Sequence, residues 1–89
     1  MILNDPKRYG NLEVKLYSQF HIYYDGSAES VSANNKTGRF DILPGHANFF
    51  TLLSEGVVKV ISSGQSFDFK MTRGVAQVSG NKVKVFIDI

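Results

Sequence analysis

The feature that most constrains this chain is apolar–polar alternation with a period of two, repeated in several short runs and absent at helical spacing. In LEVKLY, Leu12, Val14 and Leu16 fall on one side of an extended strand while Glu13, Lys15 and Tyr17 fall on the other. SFDFKM sets Phe67, Phe69 and Met71 against Ser66, Asp68 and Lys70, and KVKVFI sets Val83, Val85 and Ile87 against Lys82 and Lys84. GVVKVIS crowds its apolar residues together and reads as a more fully buried strand. FHIYY reads as another strand, with His21 in its middle, ended by the turn signal Asp25-Gly26. ANFFTLLSEG admits a strand or a single helical turn, and the strand is the preferred reading.

Glycines at 26, 38, 45, 56, 64, 74 and 80 punctuate these runs at a spacing typical of sandwiches and barrels. SSGQS and SGNK read as hairpin loops, and Asn34-Asn35-Lys36-Thr37 as a longer turn. The expected fold is all-β, a sandwich of two antiparallel sheets packed face to face. Eighty-nine residues make one domain, with residues 1–10 expected as a loosely held tail and residues 11–89 as the sandwich.

Composition excludes several kinds of chemistry. There is no cysteine, hence no disulfide, no cysteine-ligated zinc and no thiol nucleophile. The net charge is only +2 and, apart from the neighbours Lys7 and Arg8, the basic residues are spread singly, which argues against nucleic acid as a partner. No apolar run is long enough to cross a bilayer as a helix, and the amino terminus lacks a signal-peptide pattern. A soluble, cytoplasmic protein is the expectation.

With two histidines and no spacing such as HxH or HxxE, no metal site is expected. Ser, His and Asp occur without a nucleophile-elbow pattern, and no glycine-rich phosphate cradle precedes a helix, so neither catalytic nor cofactor-binding residues are expected. Phe20, Tyr23 and Tyr24, with Lys15 nearby, have the composition of a base-stacking platform. The plainer reading is that Phe20 and its neighbours pack the core.

The stretch GRFDILPGHAN is the most informative. Pro44 presets φ near −65° and Gly45 can take the positive φ required next, which predicts a type II turn. Ile42 and Leu43 are expected to anchor this loop in the core, leaving His46 exposed. A stiff exposed corner loses little entropy on docking and suits a partner contact.

These residues resemble a known family. YYDGSAESVSANNKTGRFDILPGHANFFTLLSEGVVKVI, followed by TRGVAQVSGNKVKVFI, is similar to the amino-terminal domain of the ATP synthase epsilon subunit, called delta in mitochondria. The likeness rests on the Ile-Leu-Pro-Gly-His-Ala segment and on glycines and valines that follow in order, including Gly56, Val57, Gly74, Val75, Asn81, Val83 and Val85. It implies a β-sandwich of about ten short strands and a non-catalytic role in the rotor's central stalk. There the domain would couple ion flow through the c-ring to ATP synthesis.

The implied partners are the gamma subunit and the polar loops of the c-ring. Gly38, Arg39, Asp41, Pro44, Gly45, His46 and Ala47 would meet the c-ring and the foot of gamma, and Asn48, Phe49, Phe50 and Thr51 would meet gamma. The resemblance also implies one copy per enzyme, a monomer when isolated, and a peripheral location on the cytoplasmic face of the energy-transducing membrane without insertion into it. Arg39 stands where the family often has an acid, with Asp41 two residues on; Asn48 stands in a frequent proline position, and Arg73 where glycine often precedes Gly74. Family members usually continue into a helical pair that can inhibit hydrolysis or bind ATP. With Asp88-Ile89 ending the last strand, neither property is expected of this chain. Two alternatives remain at this point: a barrel binding single-stranded nucleic acid through FHIYY, and a small hydrolase using His46.

Overall fold

The computed structural model describes residues 11–88, so the tail expected over residues 1–10 lies outside the described residues. Among the described residues there are nine strands and no helix: β1 (Leu12–Tyr17), β2 (Ile22–Ala28), β3 (Ser30–Asn35), β4 (Gly38–Ile42), β5 (Phe49–Leu53), β6 (Gly56–Ser62), β7 (Gln65–Met71), β8 (Arg73–Ser79) and β9 (Lys82–Asp88). They form a five-stranded sheet in the order β2-β1-β9-β8-β5 and a four-stranded sheet in the order β4-β3-β6-β7. The sandwich expected from the alternation is the observed fold.

The alternation is read directly into burial. Leu12, Val14 and Leu16 of β1, and Val83, Val85 and Ile87 of β9, are almost completely covered, as are Val58 and Val60 of β6. Met71 is buried, but Phe69 is half-buried and Phe67 is 36% exposed, because β7 is the edge of its sheet and its apolar side runs out toward solvent. Shortening one of the fully covered side chains, as in Leu16→Ala or Ile87→Ala, is worth about 2–5 kcal/mol of stability.

Both open sides of the sandwich are closed by aromatic contacts between edge strands. On one side Tyr23 and Tyr24 of β2 meet Phe69 and Phe67 of β7, at centroid distances of 6.3 and 5.6 Å. On the other, Phe40 of β4 meets Phe49 of β5 at 5.5 Å. The tyrosines of FHIYY therefore support the core, but Phe20 does not. It is 87% exposed in the loop between β1 and β2, where the Ser18 amide donates to the His21 carbonyl at 2.8 Å.

Several expectations are corrected. His21 precedes its strand instead of lying within it. Asp25 and Gly26 form no turn: they run extended inside β2, opposite Lys15 and Val14. An Asp-Gly pair makes a tight hairpin turn when it adopts positive φ, and Gly26 does not adopt it here. Asn34 and Asn35 belong to β3, and the loop to β4 is only Lys36-Thr37, tightened by the Asn35 side-chain carbonyl, which accepts from the Thr37 amide and hydroxyl at 2.9 and 2.7 Å. The sheets are not wholly antiparallel either, since β1 and β9 pair in parallel. Alternation fixes which face a residue takes, not the direction of the neighbouring strand.

The remaining turns follow their sequences. Ser63 and Gly64, with φ of 53° and 77°, make the two-residue hairpin of β6 and β7, and Gly80-Asn81, with Gly80 at 61°, joins β8 to β9.

Candidate docking corner

The Pro-Gly stretch forms the predicted turn. The His46 amide donates to the Leu43 carbonyl at 3.0 Å, and Gly45 has φ of 85°, which any residue with a Cβ adopts only under strain. Two asparagines fasten this turn to the β8–β9 hairpin. The Gly45 amide donates to Asn81 Oδ1 at 3.0 Å, and the Gly80 amide donates to Asn48 Oδ1 at 2.9 Å. Each loop thus satisfies an amide of the other, and the end of the sandwich is held as one clasp. Asn81 lay on the family pattern, yet its clasping role was missed; an asparagine beside a hairpin glycine was the available signal.

The anchors are distributed differently from the expectation. Ile42 is fully buried, but Leu43 is 54% exposed at the apex of the turn. His46 is half-buried instead of exposed. Its ring meets Phe49 edge-on at 5.4 Å, and Nδ1 lies 2.7 Å from the Ala47 carbonyl, an arrangement in which Nδ1 carries the proton. Among the described residues no hydroxyl or carboxylate is hydrogen-bonded to the ring, whereas activation of a nucleophile calls for such a pairing. Among the described residues no three histidine, aspartate or glutamate side chains converge on a point that could hold a metal ion.

The other predicted site residues do not share one surface. Phe49 and Thr51 point inward: Phe49 closes the sandwich edge, and Thr51 Oγ1 accepts from Asn35 Nδ2 at 3.2 Å. Phe50, between them, points outward and is 65% exposed. Three consecutive strand residues, Phe49 to Thr51, cannot present all their side chains to one partner. Arg39 and Asp41 lie on the outside of the four-stranded sheet. The Arg39 guanidinium donates to the Val57 carbonyl at 2.7 Å, bridging the gap where β3 and β6 diverge. Asp41 accepts from the Ser32 hydroxyl at 2.6 Å. What gathers at the corner itself is Leu43, Pro44, Gly45, His46, Ala47 and Asn48, with Gly38 at the far end of β4.

The family model for the ATP synthase Delta/Epsilon chain β-sandwich domain matches residues 11–89. The chain belongs to this family. The chloroplastic ATP synthase epsilon chain of Emiliania huxleyi is 31% identical over 75 residues, covering 84% of this chain and 58% of the relative. The chain spans about half the length of the curated relatives it matches. The fold is also that of a chain in the Euglena gracilis mitochondrial ATP synthase OSCP/F1/c-ring structure, with a TM-score of 0.81 at 18% identity over 86% of this chain and 50% of that one. A chain of the Tetrahymena thermophila mitochondrial ATP synthase central stalk/c-ring structure gives 0.75 at 21%, covering 89% and 64%. The matched segment includes the Pro-Gly corner clasped to the β8–β9 hairpin.

Proposed function

We propose that this chain is the β-sandwich module of the rotor of an F-type ATP synthase, docking on the gamma subunit and the polar loops of the c-ring through its clasped corner. The observation that carries the reading is Leu43, a leucine 54% exposed at the apex of a turn pinned by Asn81, in a chain of this family. An apolar side chain on a preorganised loop binds with little ordering cost and makes an efficient anchor. His46 and Phe49 brace the loop from beneath, and Phe50 extends the contact along β5. In this role the chain contributes no catalytic group and no cofactor site. It acts as a single peripheral copy on the cytoplasmic side of the membrane and is a monomer when isolated. Arg39 and Asp41 serve the strands that carry the corner more than the contact itself.

The test is co-expression with the gamma subunit from the same genome, followed by affinity purification and sizing. A one-to-one complex is expected, weakened roughly tenfold or more by Leu43→Asp. Absence of any complex with a folded gamma subunit would overturn the reading.

A further inference from the structure

The strand edges of the two sheets are not alike. β2 is broken by the irregularity opposite Leu16 and Tyr17, and its Ser27 carbonyl, turned to the open side, accepts from the Ser62 and Tyr24 hydroxyls. β4 and β5 meet across Phe40 and Phe49, and the end of β3 ties that side shut: Asn35 Nδ2 donates to Thr51 Oγ1, and the Ser54 amide donates to the Asn34 carbonyl at 2.9 Å. β7 has neither device. Its seven residues run in unbroken register with β6, without bulge or proline, and among the described residues no strand pairs with its other side.

The hairpin decides which backbone groups this edge offers. In a two-residue hairpin the flanking pair, here Ser62 and Gln65, is hydrogen-bonded, and bonded pairs alternate from there. Gln65, Phe67, Phe69 and Met71 thus turn their amides and carbonyls to β6, while Ser66, Asp68 and Lys70 turn theirs to the open edge. The far side of β6 keeps the same alternation. The carbonyls of Ile61 and Val57, opposite Ser66 and Lys70, point away from β7 and accept from the Glu29 amide and the Arg39 guanidinium, each at 2.7 Å.

Side chains give the edge a pattern. On the outward side Asp68 and Lys70 stand two residues apart with opposite charge. Asp68 has Lys59 beside it on β6, but Lys70 has only Val57 there and makes no ion pair among the described residues. On the inward side Phe67 is 36% exposed, and Phe69, Tyr23 and Tyr24 are half-buried, so the aromatic seam between β7 and β2 keeps part of its surface open.

We infer that β7 takes up an extended segment of a partner as a fifth strand of its sheet, antiparallel and reading acid–apolar–base from its amino end. In that register the guest's acid faces Lys70, its base faces Asp68, and the apolar residue between them points inward onto Phe69 and Tyr23. Both guest residues with charged side chains bond their backbone to the free groups of Lys70 and Asp68, the usual economy of strand addition. The inference stands on the edge of the four-stranded sheet and does not depend on the reading of the corner.

A second copy of this chain fits less well. Its own β7 reads Asp68-Phe69-Lys70, so the charges would match, but the inward side of that strand is already committed to the copy's own core, where Met71 is buried. A free segment alone can lay its apolar side chain on this seam.

The experiment titrates the full chain with two peptides of about seven residues, followed by residue-resolved NMR shifts. One has Glu-Val-Lys at its centre, the other Lys-Val-Glu, with identical threonine-rich flanks. Glu-Val-Lys is expected to bind at least threefold more tightly, with shifts centred on the amides of Ser66, Asp68 and Lys70 and on the rings of Tyr23 and Phe69. Lys70→Glu should remove or reverse that preference while the spectrum stays that of the folded chain. N-methylation of the peptide's Glu and Lys amides should abolish binding, and N-methylation of its Val amide, which faces away from β7, should leave it intact. No binding, equal binding of both peptides, tighter binding of Lys-Val-Glu, or indifference to the position of the N-methyl groups would each overturn the inference. Concentration-dependent growth of the chain alone, with the same β7 amides shifting, would overturn it in favour of a second copy.

Discussion

The two outer faces of this sandwich are made from the same kind of alternating strand and have opposite characters. On the four-stranded sheet the central outward row reads Asp41, Ser32, Lys59 and Asp68 across four strands. Acid, hydroxyl, base and acid follow one another, Ser32 is bonded to Asp41, and Arg39 closes the gap beside them. On the five-stranded sheet the outward rows put Tyr17 beside Phe86 and Lys15 beside Lys84, like next to like. The first face satisfies itself; the second leaves an apolar row, Ile22, Tyr17, Phe86, Val75 and Leu52, open to solvent and sets Lys84 beside Lys15, whose other neighbour is Asp25. What separates a self-paired face from an open one is thus the alignment of residues across strands, more than the number of exposed apolar side chains.

The largest expected effect comes from Gly74, which lies beneath the apolar row. A Cβ there would collide with the Phe86 carbonyl oxygen, a backbone atom that cannot swing aside. Gly74→Ala should separate β8 from β9 and cost about 2–3 kcal/mol, a fall in Tm of roughly 10 °C or more. Thermal unfolding followed by circular dichroism measures it. A fall smaller than about 4 °C would mean that the row is not held in register at this point.

Next comes a crossed pair of substitutions, one on each face. Asp41→Ala removes the acceptor of the Ser32 hydroxyl, which is only 8% exposed, and should cost about 1 kcal/mol. Leu52→Thr removes an apolar side chain that is 68% exposed and should change stability by less than about 0.5 kcal/mol. Urea unfolding of both variants checks the contrast. If Leu52→Thr were the more costly of the two, the apolar row would be part of the core and not a free face.

The sandwich was legible because period two survives translation into burial: LEVKLY and KVKVFI place Leu12, Val14, Leu16, Val83, Val85 and Ile87 inside as the alternation requires. The corner was partly legible, since Pro44-Gly45 dictates its own turn, but the exposure of Leu43 depends on where the clasp of Asn48 and Asn81 holds it. The open face was written in the same strands. Tyr17 follows Lys15 in phase and Phe86 follows Lys84, so each is an apolar residue on the polar side of its strand. That these residues form one row depends on the register and on the parallel pairing of β1 with β9, which join residues about 70 positions apart. Strand periodicity carries no information about either.

The smallest effect tests the comparison most directly, because one chemical change should have opposite signs on the two faces. Lys84→Glu replaces the juxtaposition with Lys15 by an opposite-charge pair and should stabilise the chain by about 0.2–1 kcal/mol at low ionic strength. Lys59→Glu sets a second acid beside Asp68 and should destabilise it by a similar amount. Both effects should shrink in 1 M salt, where the screening length falls to about 3 Å. Denaturant unfolding of the two variants at low and high salt supplies all four numbers. Two changes of the same sign, or changes indifferent to salt, would mean that Lys84 already has a counter-charge. The five-stranded face would then be as self-sufficient as the other.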